Sequence, residues 1–386
     1  MKPLLPLLLL AAPLHAQQAH ADFRDGTPAT WSAEVPEGDY DVTVTFGGKT
    51  ATDTTVRSEA RRLMIANLKT EPGKTVTRTF TVNVRTPALP NGQRVKTNKR
   101  EENHLNWNKT LDLEFSGSQP GVTSVDVKPA KNPLTVFIAG DSTVTDQQNE
   151  PWGAWGQVLP MFFQPGTAIA NQAESGLALR SFRYQGRLDK ILSQIHQGDY
   201  VLIQFGHNDE KEKGEGVGPL TTYKADLEDY VAKIREKKGQ PVLVTPMYRR
   251  RFDKSGNLED THGDYPVAVR LVAKEKNVPL IDLHQMSYSV FKALGPQDST
   301  KAFVFYPANT FPGQDKELAD NTHFNTFGSW LLAKCMVEGI RASVPDLAKH
   351  LEPGLPTFDP AKPDKPGSWS VPASPPPATL TVPAGS

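Results

Sequence analysis

Four short stretches carry residue types that can act together on an acyl group, and they lie far apart in the chain. Ser142 follows Gly140-Asp141, directly after an apolar run from Leu134 to Ala139. A serine hydroxyl is a poor nucleophile until a base takes its proton, and that base needs a partner that fixes its tautomer. Asp320 and His323, in Asp320-Asn321-Thr322-His323-Phe324-Asn325, offer a carboxylate and an imidazole that a short turn can aim at one point. Gly176 can bring a backbone N–H close to a reacting atom. Asn208, in Gly206-His207-Asn208-Asp209, adds a side-chain amide. Backbone N–H groups and amide side chains are what a developing oxyanion requires. Taken singly, each stretch reads as well as something plainer: an ordinary turn, a helix cap or a surface histidine. Their order, and their placement at element ends, give them weight together.

The elements that must hold them change character along the chain. Early on, the chain is rich in Thr and Val with alternation of period two: Val42 to Phe46, Val76 to Val84, Leu111 to Phe115 and Val122 to Val127. Short alternating runs divided by Gly, Pro and Asn turns predict a small all-β sandwich over 22–130, with a less regular stretch from Val56 to Leu68. From Leu134 the strand candidates become wholly apolar: Leu134–Ala139, Ala168–Gln172, Tyr200–Phe205, Pro241–Thr245 and Val278–Leu283. Helical spacing fills the gaps, with Leu220, Tyr223, Leu227, Tyr230, Val231 and Ile234 on one face. Asp264 to Asn277 and Phe327 to Ala342 follow the same pattern. Apolar strands interleaved with helices predict an α/β fold: a three-layer α/β/α sandwich around a five-stranded parallel sheet, over 131–350. In such a sheet, ligands bind beyond the carboxyl ends of the strands, where the four stretches fall.

Bulk properties narrow the function classes. Lys plus Arg equals Asp plus Glu at 43 each in 386 residues, so no global field points to nucleic acid or an anionic membrane. Met1-Lys2-Pro3, an apolar run from Leu4 to Leu14 and small residues read as a secretory signal over 1–21, with cleavage after Ala16 or Ala21. The expected location is therefore periplasmic or secreted. Cys335 is the single cysteine, which excludes an intrachain disulfide, and its apolar neighbours predict a buried thiol. Residues 351–386, rich in Pro, Ala, Ser and Thr, read as an extended solvated tail.

Gly140-Asp141-Ser142-Thr143-Val144, with Gly176, Asn208 and His323 in that order, resembles the SGNH (GDSL-type) hydrolases over about 133–345. Within them the chain looks most like the rhamnogalacturonan acetylesterases. Trp155-Gly156-Gln157-Val158-Leu159-Pro160, Asn171 with Ala173, Arg180-Ser181-Phe182 and Gly206-His207-Asn208-Asp209 carry that likeness. The resemblance implies a flavodoxin-like fold and a triad of Ser142, Asp320 and His323. It also implies an oxyanion hole from the N–H groups of Ser142 and Gly176 with the amide of Asn208. The expected substrate is an acetylated polysaccharide or oligosaccharide such as pectin, with no cofactor, metal, nucleic acid or membrane partner. Gly176-Leu177-Ala178 departs from the family's Gly-Arg-Ser, and the N-terminal β region has no counterpart in its minimal members. Two other readings stay open: the same site with another acyl preference, and a carbohydrate-binding protein with an idle hydrolase domain.

His207, Trp152 and Arg249 are secondary candidates for substrate contact. Trp152 and Trp155 could stack on sugar rings, although a Trp in an apolar run is more often core. Arg249-Arg250-Arg251 could grip a uronate carboxylate, although a charge run is more often solvated. Glu210 to Gly218 reads as a charged loop at the rim of the cleft. The histidines show no paired spacing for a metal.

Overall fold

The computed structural model describes residues 18–24, 26–102 and 104–375. Most of the expected signal segment, and the end of the chain from 376, lie outside the described residues. The first strands are β1 (Ala19–Asp22), β2 (Thr30–Glu34), β3 (Gly38–Gly47), β4 (Thr52–Ser58), β5 (Arg62–Thr70), β6 (Thr75–Val84), β7 (Thr110–Gln119) and β8 (Val122–Pro129). They form two faces. β1, β8, β3 and β6 lie in one sheet, and β2, β7, β4 and β5 form another. Val42, Val44, Phe46, Val56, Leu113 and Phe115 fill the space between them, as the period-two alternation requires. The less regular stretch is the β4–β5 hairpin, whose register slips near Val56.

The second half begins with β9 (Leu134–Gly140), α1 (Trp155–Val158) and β10 (Thr167–Asn171), then α2 (Leu179–Tyr184), α3 (Arg187–Gln194) and β11 (Tyr200–Gln204). It continues with α4 (Lys224–Glu236), β12 (Gln240–Val244), α5 (Tyr265–Glu275), β13 (Leu280–Ile281) and α6 (Leu283–Asp298). A hairpin of β14 (Phe303–Tyr306) and β15 (Leu318–Phe324) precedes α7 (Thr326–Ser343) and α8 (Pro345–Ala348). β10, β9, β11, β12 and β13 are parallel neighbours. Alternate residues face opposite layers. Val201 and Ile203 pack with α2, α3, α4 and α5, whereas Tyr200 and Leu202 pack with α1, α6 and α7. Cys335 is fully buried within α7, and burial pushes its thiol pKa upward.

Three features depart from the sequence reading. The five parallel strands are not a separate sheet. β6 pairs with β10 through Val82 and Ile169, so the sheet has nine strands in the order β1-β8-β3-β6-β10-β9-β11-β12-β13. An edge strand with free N–H and C=O groups is a template for pairing, and the N-terminal strands occupy it. Second, Ala19, His20 and Ala21 sit in β1 against β8, so the boundary at 21 cuts through a paired strand. Third, residues 351–375 are not a solvated tail. Leu351 and Phe358 are buried, and Trp369 stacks on Trp330 at 4.2 Å. Asn67 then donates to the carbonyl of Ser370 at 2.7 Å, and Arg57 to that of Pro372. Proline-rich backbone needs few partners of its own, so a few aromatic anchors suffice to lay it along a groove.

Candidate active site

The residues singled out for chemistry converge beyond the carboxyl ends of β9, β10 and β11. Gly140 ends β9, and a Cβ there would meet Val144 Cγ2 at 2.7 Å and the Gln204 carbonyl at 3.0 Å. Only glycine lets the end of β9 lie this close to both. The N–H groups of Val144 and Thr145 donate back to the Asp141 carbonyl, which closes one tight turn around Ser142. The Asp141 carboxylate accepts from the Thr143 N–H at 2.9 Å and the Thr143 hydroxyl at 2.8 Å, which braces that turn.

His323 lies between its two expected partners. Its Nε2 is 2.8 Å from Ser142 Oγ, and its Nδ1 is 2.7 Å from Asp320 Oδ2. Residues three apart on a regular strand face opposite sides. Here Val304 pairs with Asp320 while Phe303 pairs with Phe324, so residues 321–323 bulge out of the β14–β15 ladder. Asp320 Oδ1 accepts from the N–H groups of Thr322 at 2.8 Å and His323 at 3.0 Å, which fixes the bulge. Burial alone would raise the Asp320 pKa, but these bonds and the imidazole bring it below its ordinary value. The expected turn is thus a bulged strand.

The expected oxyanion donors, Gly176 and Asn208, lie on two loops. Gly176 adopts φ of 82°, a left-handed conformation open to glycine. Asn208 Nδ2 donates to the Leu177 carbonyl at 3.1 Å, which spends one amide hydrogen and leaves the other. The Asp209 carboxylate accepts from the Leu179 N–H at 2.9 Å and ties the start of α2 to the end of β11. Burial pushes the Asp209 carboxyl pKa up to about 8.

The secondary candidates sit differently. Trp152 and Trp155 are buried, at 1% and 0% exposure, so neither presents a ring face to a sugar. Trp155 donates its indole N–H to Gln204 at 2.8 Å and belongs to the core. Arg249 pairs with Glu210 at 2.5 Å, so its charge is already matched. Glu210 also meets His262 at 3.0 Å, which fastens the start of the expected rim loop. His207 is 2% exposed, and burial with the nearby His262 lowers its pKa to about 3. Its ring packs edge-to-face against that of His262, with centroids 4.4 Å apart.

Sequence reasoning does not assign the bracing roles of several residues, Asn171 among them although its stretch carries part of the family likeness. Gln147 donates to the Ser142 carbonyl at 2.7 Å. Asn171 Nδ2 donates to the Val144 carbonyl and to Asp146, both at 2.8 Å. Arg61 and Arg62 of the N-terminal unit reach the same loop. Isolated arginines and amides in polar stretches carry no periodic signal, so only folding reveals them. Among the described residues, no group of three or more His, Cys, Asp or Glu side chains could hold a metal ion.

The chain is similar in sequence to known proteins. The model of the GDSL-like lipase/acylhydrolase family matches residues 138–331. Rhamnogalacturonan acetylesterase RhgT of Bacillus subtilis (strain 168) is 42% identical over 223 residues, covering 57% of this chain and 95% of that protein. The probable rhamnogalacturonan acetylesterase YesY of the same organism is 35% identical over 211 residues, covering 53% and 92%. The uncharacterized esterase YxiM, also from that organism, is 25% identical over 317 residues, covering 81% of this chain and 74% of its own length.

Proposed function

The chain belongs to the GDSL-like lipase/acylhydrolase family and is a carboxylic ester hydrolase of the SGNH type, and from that premise we propose that it removes acetyl groups from pectic polysaccharide outside the cytoplasm. In this reading Ser142 is the nucleophile, His323 the general base and Asp320 its orienting partner. The observation that carries it is the continuous path from Ser142 Oγ through His323 to Asp320, at 2.8 and 2.7 Å.

The proposed reaction has two halves. His323 Nε2 takes the hydroxyl proton as Ser142 Oγ bonds to the ester carbonyl carbon, and Asp320 stabilises the imidazolium that forms. The N–H groups of Ser142 and Gly176 and the free Asn208 amide hydrogen receive the oxyanion. Collapse breaks the bond to the sugar oxygen, which leaves with the proton from His323. Water, deprotonated by His323, then attacks the acetyl carbon; collapse breaks its bond to Ser142 Oγ, which regains the proton from His323 as acetate leaves. The side chains present supply each proton transfer.

Identity of 42% to an acetylesterase across nearly its whole length supports the acetyl and rhamnogalacturonan assignment. The signal-like start supports export, and the β1–β8 pairing favours cleavage after Ala16, which preserves β1. Acetate release should be greatest from acetylated rhamnogalacturonan in a panel with acetylated xylan and mannan. p-Nitrophenyl acetate should be cleaved much faster than the octanoate. Faster octanoate cleavage refutes the acetyl preference, and preference for xylan refutes the pectic one. Ser142→Ala should abolish turnover while the melting temperature stays near that of the wild type.

A further inference from the structure

The N-terminal β unit reaches into the site from one side. The turn between β4 and β5 places Glu59 and Arg61 at positive φ, 52° and 62°, a backbone conformation rarely adopted by residues with side chains. Such a turn persists only when its surroundings over-determine it. Here they do. Arg61 Nη1 donates to the carbonyls of Gln147 at 3.1 Å and Trp152 at 2.9 Å, and Gln147 in turn holds the Ser142 carbonyl. Arg62, 1% exposed, donates from Nε to Asp146 Oδ2 at 2.7 Å. The other oxygen of Asp146 accepts from Asn171, whose own carbonyl oxygen accepts from the Ala173 N–H at 3.2 Å. Arg62 therefore sits at the head of a chain that joins the nucleophile loop to the Gly176 loop.

A second contact comes from another part of the unit. Arg100 donates from Nε to Glu174 at 2.6 Å and from its terminal nitrogen to the Ser175 carbonyl, the residue before Gly176. We propose that Arg61, Arg62 and Arg100 of the N-terminal unit are positioning residues for ester hydrolysis, setting the Ser142 and Gly176 loops relative to each other. This rests on the triad reading above. It assigns the unit a part in the chemistry, where a detachable glycan-binding module would touch neither loop. Glutamine and asparagine side chains carry the restraint inward, and no arginine of the three touches the reacting atoms.

Arg100→Met is the principal test, because the Arg100 side chain is a quarter exposed; the substitution takes the ion-pair partner from buried Glu174, and Arg100→Lys keeps a charge there. With p-nitrophenyl acetate, kcat should fall on the order of tenfold to a hundredfold, since small displacements of reacting groups have that effect. KM should stay within about twofold, because binding of the small ester is not what the loops' relative setting controls. The acid limb of the pH profile should not move, as the Asp320–His323 pair is untouched. Arg100→Lys keeps the charge but loses the fork, so its kcat should lie between the two. Arg62→Met leaves Asp146 buried without its ion-pair partner. If that variant does not fold, Arg100→Met and Arg61→Met decide. Unchanged kcat in folded Arg100→Met and Arg61→Met overturns the proposal, as does a loss expressed through KM alone. Ser142→Ala distinguishes the two levels: activity persisting there removes the nucleophile assignment, whereas its loss beside a normal Arg100→Met removes only the positioning role.

Discussion

Asp320→Asn probes the proposed proton path with one nearly isosteric change. In the wild type, Asp320 Oδ1 accepts from two backbone N–H groups at 2.8 and 3.0 Å, and Oδ2 accepts from His323 Nδ1 at 2.7 Å. An asparagine must keep its oxygen on the two backbone donors, because the opposite flip sets an NH2 group against both. Its nitrogen then faces Nδ1 and donates to it. The ring proton moves to Nε2, which points at Ser142 Oγ and can no longer accept a proton. Two terms set the size of the effect. Losing the carboxylate's attraction for the imidazolium removes about 4 kcal/mol at a 4 Å separation and an effective dielectric near 20. Restoring the productive tautomer breaks a hydrogen bond worth about 1 kcal/mol. The sum, about 5 kcal/mol, corresponds to a kcat lower by roughly 10³- to 10⁴-fold.

The assay is p-nitrophenyl acetate hydrolysis at pH 8, with thermal unfolding followed in parallel. Stability adds a check whose sign is fixed. The Asp320 pKa is depressed below its ordinary 3.8, so its contribution is present above that value and is lost as pH falls through the lower folded one. The asparagine variant lacks this contribution, so the stability difference from wild type should shrink in acid below about pH 4. A loss of kcat under tenfold in a folded variant would falsify the tautomer argument.

Other outcomes follow from the same geometry. Asn208→Ala should lower kcat about 10²- to 10³-fold with little change in KM, since one proposed oxyanion donor is removed; steady-state kinetics showing a KM effect alone would assign Asn208 to substrate binding. Trp369→Ala should destabilise the fold by about 1–3 kcal/mol in urea denaturation, because it removes a ring stacked at 4.2 Å on Trp330. A change near zero would mean that residues 351–375 contribute nothing to holding the fold. Cys335 should resist a thiol-specific disulfide reagent in the native protein and react fully in denaturant; rapid native labelling would contradict its place in the α7 core.

Much of the α/β half could be read directly from the chain. A strand buried on both faces has to be apolar throughout, and the runs starting at Leu134, Ala168, Tyr200 and Pro241 fall within a residue of β9, β10, β11 and β12. Helices with one buried face leave a 3.6-residue trace, which α4, α5 and α7 show. Leu220 departs from this pattern. It lies in the turn before α4 and is 48% exposed. Ser142, Gly176, Asn208, Asp320 and His323 were legible because each follows or joins an element whose end the pattern marks.

What the sequence determined by itself was local: element type, which faces are apolar, and which side chains have the chemistry to act. Tertiary structure decided everything that depends on two distant segments meeting. Edge pairing between β6 and β10 made one nine-stranded sheet from two apparent units. A bulge in β15 turned Asp320 and His323 toward the same side. Trp152 and Arg249, candidates by type, were claimed by the core and by Glu210. Arg61, Arg62 and Arg100 gained their partners at the loops only through folding. Hydrophobic periodicity is written along the chain because every helix turn and strand pleat repeats it. A single buried ion pair or hydrogen bond between segments leaves no such repeat, so its existence emerges only when the chain is closed around it.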